Sequence, residues 1–95
     1  MSDVKLKVGI KNADKDVENF LDNLKALKYD YKEPEVDGPG EHYSPMAQDL
    51  EKSKPGKAMV EETPRGKQVD YAKGFGTMTA SLANLNKRLR ALEKK

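Results

Sequence analysis

Residues 4–28 read VKLKVGIKNADKDVENFLDNLKALK, and the period of their apolar side chains changes partway along. Val4, Leu6, Val8 and Ile10 alternate with Lys5, Lys7, Gly9 and Lys11, the two-residue repeat of a strand with one buried and one solvated face. From Val17 the repeat turns helical: Val17, Phe20, Leu21, Leu24 and Leu27 form one apolar face, and Glu18, Asp22, Asn23, Lys25 and Lys28 take the other. The first stretch predicts a strand over 4–11, whose lysines also discourage edge-to-edge aggregation. The second predicts a helix over 15–28 that covers the sheet. Asp14 is its expected N-cap, and Asp16 and Glu18 suit the positive end of the helix dipole.

Tyr29 and Tyr31 flank Asp30 in a further alternating run that Pro34 ends. Residues 1–33 therefore read as a small β-α-β element, for which a parallel, right-handed crossover is expected. Two strands and a helix are too few to be stable alone, so other elements must cover or extend them.

All five prolines fall between Glu33 and Gly74, together with Gly38, Gly40, Gly56 and Gly66. That shift in composition sets residues 34–74 apart as a Pro/Gly-rich extended segment or arm containing short elements. In SPMAQDLEKSKPG (44–56), Ser44 can cap a helix with Pro45 at its first position, Met46 and Leu50 stack one turn apart, and Pro55-Gly56 stops it. Thr63-Pro64-Arg65-Gly66 has the residues of a type I turn and predicts a hairpin of 58–62 with 67–71, Val69 and Tyr71 sharing a face.

Residues 75–95, FGTMTASLANLNKRLRALEKK, return to clear periodicity. Phe75, Met78, Leu82, Leu85, Leu89 and Leu92 follow a 3, 4, 3, 4, 3 spacing that fills the a and d positions of a heptad. A C-terminal amphipathic helix of roughly 77–93, about 25 Å long, is expected, capped by Thr77 or Thr79. The expected fold class is α+β: a small sheet with an N-terminal β-α-β-like unit, a loop-rich middle and this long helix.

Thirty-six per cent of residues are hydrophobic and an equal share charged, a wet balance that leaves one modest core at most. The net charge of +2 is unevenly placed: residues 75–95 carry Lys87, Arg88, Arg90, Lys94 and Lys95 against Glu93 alone. The absence of cysteine excludes disulfides, thiolate metal sites and a cysteine nucleophile, and fits a reducing, cytoplasmic or intracellular setting or the interior of a viral particle. MSDVKLKVGIK has no continuous apolar run, so neither a signal peptide nor a membrane span is expected at the N-terminus.

Catalytic signals are weak. His42 is the single histidine, set between Glu41 and Tyr43 in a loop-like stretch without a recognisable nucleophile beside it. Asp30, Glu33, Glu35 and Asp37 match no complete calcium loop, and KGFGT (73–77) lacks the third glycine or Gly-Lys-Ser/Thr of a phosphate cradle. No cofactor, metal or small-molecule substrate is expected.

The apolar stripe has three uses open to it: an intramolecular core face, a self-associating seam, or a ridge that docks into a partner's groove. The chain is accordingly expected to be a non-enzymatic structural or adaptor protein that assembles with a protein partner or with itself, as in a viral particle. The alternative is a nucleic-acid-binding or regulatory protein using Lys87, Arg88, Arg90, Lys94 and Lys95. Against it, these side chains point in several directions around a helix, and no aromatic stands among them for a base to stack on.

Overall fold

The structure, a computed structural model, describes residues 2–95. Its helices are α1 (Asp14–Asp22), α2 (Pro34–Asp37), α3 (Ala47–Leu50), α4 (Lys54–Lys57) and α5 (Tyr71–Glu93). Its strands form two antiparallel pairs, β1 (Leu27–Tyr29) with β2 (His42–Ser44) and β3 (Val60–Thr63) with β4 (Gly66–Val69). The mixed helix and sheet content and the long C-terminal helix agree with the α+β expectation.

The N-terminal strand does not form. Residues Val4–Leu6 make a single 3-10 turn, the rest of 4–11 is irregular, and Val4, Leu6, Val8 and Ile10 are all exposed, Val8 at 96%. Alternation fixes which face a strand would bury, but this stretch has no neighbour to complete its ladder. With it goes the parallel crossover, because β1 turns to β2 in antiparallel register: Leu27 opposite Ser44, Lys28 opposite Tyr43, Tyr29 opposite His42.

Helix α1 starts at Asp14 itself, so Asp14 is not the cap; Asn12 Oδ1 accepts the Asp14 N–H at 2.9 Å instead. It ends at Asp22, short of the expected Lys28, where Asn23 donates its side-chain amide to the Asn19 carbonyl. The pairing of Leu27–Tyr29 with β2 takes those residues out of the helix.

The Pro/Gly-rich middle holds several short elements and supplies two of the three residues of the core cluster. Phe20, Leu50 and Met59 form that core, with Leu21, Leu24, Val60 and Val69 packed against it. Ser44 lies in β2 and α3 begins only at Ala47, so the expected Ser44–Pro45 helix start is absent. Pro55 and Gly56 do not stop a helix but sit inside α4, where Ser53 Oγ accepts the Gly56 N–H at 3.1 Å. A side chain at Gly56 would bring its Cβ within 2.9 Å of the Leu50 carbonyl carbon, so the turn from α3 to α4 requires glycine.

The second hairpin keeps the expected register, with Val60 opposite Val69 and Glu62 opposite Lys67, but its strands are Val60–Thr63 and Gly66–Val69 and not 58–62 with 67–71, and Tyr71 opens α5 where it was expected to share a strand face with Val69. Helix α5 begins at Tyr71, six residues before the predicted start at Thr77; Asp70 Oδ1 caps it by accepting the N–H groups of Ala72 and Lys73. Thr79 is inside the helix, its hydroxyl donating to the Phe75 carbonyl at 2.9 Å.

Candidate functional site

Helix α5 meets the domain through small and polar side chains. Gly74, Ser81 and Asn84 are its buried residues. Gly74 lies against Met59, and a Cβ there would approach the Met59 Cγ to 2.9 Å. Ser81 donates to the Thr77 carbonyl at 2.8 Å, so its hydroxyl is satisfied within the helix. Asn84 reaches across to α1, its amide donating to Asp14 Oδ1 at 3.0 Å and Glu18 Oε2 at 2.8 Å.

The leucines take another face. Phe75 is 71% exposed, Leu82 68%, Leu89 57% and Leu92 61%; Leu85 is more than a third exposed, and only Met78 is half-buried. At about 100° per residue this ridge is centred roughly a quarter turn from the Gly74–Ser81–Asn84 face. The structure thus brings the six stripe residues together as one continuous ridge along α5 and leaves them outside the core. Of the uses open to the stripe, packing inside its own chain is not the one this fold adopts.

The basic residues of the tail are divided. Arg88 donates to Asn84 Oδ1 at 3.4 Å, and Lys87 stands close enough to Asp14 to help lower that carboxyl's pKa, after the larger effects of the Asn84 and Asn12 hydrogen bonds. Arg90, Lys94 and Lys95 are exposed near the free end of the helix. Lys87, Arg90 and Lys94, spaced i, i+3 and i+7, share one side of the helix end, and Arg88 is turned away toward Asn84.

The weaker signals have local explanations. His42 sits in β2, stacked on Tyr29 with ring centroids 5.9 Å apart and edge-on to Tyr31 at 4.8 Å. Glu33 and Asp37 both accept from Arg65, at 3.4 and 2.8 Å, which joins α2 to the β3–β4 turn. Among the described residues no group of three or more His, Cys, Asp or Glu side chains is arranged to hold a metal ion. Gly74 of KGFGT serves the contact with Met59. Among the described residues no helix is long and apolar enough to cross a membrane.

Sequence reasoning missed a cleft of ≈ 670 Å³ between the two hairpins, lined by Tyr29, Tyr31 and Tyr71, by Asp37, and by the outer edge of β4. Tyr29 and Tyr31 stand in one alternating run, but no local pattern joins them to Tyr71 or to β4, so only the tertiary fold assembles the cleft.

No curated protein matches the chain. Residues 2–60 match a family model, peptidase S74, described as the chaperone of endosialidase. The match spans the exposed N-terminal stretch, α1, the first hairpin and the helices up to the start of β3, and leaves α5 outside it. Because it covers more than half of the 95 residues, the chain belongs to the chaperone-of-endosialidase family.

Proposed function

We propose that this chain acts by binding, as an assembly chaperone for a protein of a viral particle, and that the α5 ridge is the face that engages the partner. One observation carries the reading: the longest apolar stripe in the chain is exposed on a helix whose anchoring to the domain uses a different face. Exposed apolar stripes of this extent mark interaction surfaces, and an amphipathic helix set at heptad spacing docks against other helices or a groove. The family's description as a chaperone supports a protein partner. The reading includes no catalytic step by this chain, since the site offers a ridge and not a nucleophile beside an oriented base.

Leu85→Asp and Leu89→Asp test it. Both positions are exposed, so circular dichroism and thermal unfolding should match wild type, while the mass in solution or the yield of correctly assembled partner falls. Variants that keep the wild-type mass and full partner yield would remove the ridge from the account. Intact-mass spectrometry of the partner before and after incubation tests the non-catalytic part, and a cleaved partner would overturn it. Nucleic-acid binding would instead weaken with salt and with Arg88→Gln plus Arg90→Gln.

A further inference from the structure

Two exposed segments leave the domain at one junction and carry the same sign of charge. Asp14, the first residue of α1, accepts from Asn84 at 3.0 Å, and every residue from 2 to 13 and from 85 to 95 is exposed. Residues 2–13 hold Lys5, Lys7 and Lys11 against Asp3, and residues 85–95 hold five cations against Glu93. The two segments together carry a net +6, and a chain of net +2 leaves −4 on residues 14–84. Ion pairing does not offset this division. Every ion pair among the described residues lies within residues 25–73, so none includes these eight cations. The Asp14 carboxyl beside Lys87 is itself taken up by the amides of Asn12 and Asn84.

Apolar side chains share this positive pole. Leu85, Leu89 and Leu92 of the ridge are exposed there, as are Val4, Leu6, Val8 and Ile10. A surface both basic and apolar discriminates between anions. A phosphate backbone would satisfy the cations but leave the leucines in water, and neither segment has an aromatic on which a base could stack. An acidic protein segment with one apolar face satisfies both. At about 100° per residue, Arg88 and Lys95 border Leu85, Leu89 and Leu92 on one side, where carboxylates of a docked helix can meet them. The side holding Lys87, Arg90 and Lys94 faces away from the ridge and acts through the field, not by contact.

We propose that the segment docking on the α5 ridge is acidic: an amphipathic stretch of a partner protein that lays its apolar side chains on Leu85, Leu89 and Leu92 and is drawn in by the positive pole. The proposal rests on the ridge as the docking face and adds the charge of what docks there. The negative body disfavours approach from other sides, so the field orients the encounter as well as speeding it.

Two synthetic peptides of about three heptads test it, with identical leucines at a and d and either Glu or Lys at the flanking positions. Titrated with the full chain at low salt, the Glu peptide should bind about tenfold more tightly than the Lys peptide, and the gap should narrow as ionic strength rises. Replacing Lys87, Arg90, Lys94 and Lys95, all exposed, by Gln should cut the preference several-fold with the circular dichroism unchanged, and Leu85→Asp should weaken the Glu peptide. Equal affinity for the two peptides overturns the acidic partner and leaves the ridge as the docking face. If neither binds while Leu85→Asp still lowers the mass of the chain alone, the ridge belongs to a second copy and the acidic partner is overturned. Tighter binding of duplex DNA or of phosphatidylserine vesicles, indifferent to Leu85→Asp, overturns the acidic partner and the ridge together.

Discussion

Asn84 joins the two longest helices through one buried amide, and its Oδ1 still accepts from Arg88. Asn84→Ala should lower the thermal midpoint and loosen α1 from α5, read as faster amide exchange in both. The same residue sets a pH response. Asn84, then Asn12, and more weakly Lys87 hold the Asp14 carboxyl below its ordinary pKa. A carboxyl lowered in the folded state contributes stability that is present above its unfolded pKa and lost as pH falls through the folded one. Acidification through the carboxylate range should therefore destabilise the wild type more than Asn84→Ala, and the Asp14 pKa followed by NMR should rise in the variant. Gly74 is the other residue on which the helix position depends. Gly74→Ala forces Met59, 1% exposed, out of its site, for which overpacking of this kind costs about 1–3 kcal/mol in urea unfolding.

At the level of elements, α5 is held along its first half and free along its second. Asp70→Ala, which removes the cap, should cost about 1 kcal/mol. Beyond Asn84 every residue is exposed, and a helix end without packing is marginal in water. Amides of residues 89–95 should exchange quickly in the isolated chain and become protected on assembly. The elements also show what the sequence could reveal. The β3–β4 register was legible because Thr63-Pro64-Arg65-Gly66 decides it locally, with Gly66 at φ +129° and the Thr63 hydroxyl donating to the Gly66 carbonyl. The stripe residues were legible as one face, since periodicity reports who is on a face. What that face meets was not, because the competing surface is Gly74, Ser81 and Asn84, which no hydrophobic pattern marks. The strand over 4–11 and the helix to Lys28 failed for a related reason: each depends on whether a distant segment pairs with it, and β2 claimed only Leu27–Tyr29. Gly74 and Gly76 concealed the first turns of α5 because glycine reads as a helix breaker unless the Met59 contact is known.

The whole molecule is more drawn out than its length requires. Its radius of gyration is 16.3 Å, with extents of 48 × 37 × 20 Å. A compact domain of this length would have a radius near 12 Å. Small-angle scattering of the dilute chain should return the larger value, and assembly should raise mass faster than radius. A core of so few side chains has little reserve. Leu50→Ala, expected to cost about 2–5 kcal/mol, should leave a substantial unfolded population at room temperature by circular dichroism. Anchoring α5 by glycine, serine and asparagine, with its leucines kept apart, has a kinetic consequence. On the proposed reading, folding is a first-order event that leaves the ridge unconsumed, and docking through it would be a second-order event that follows. The interval between them would then be set by how many chains have accumulated, so that local abundance times the proposed assembly.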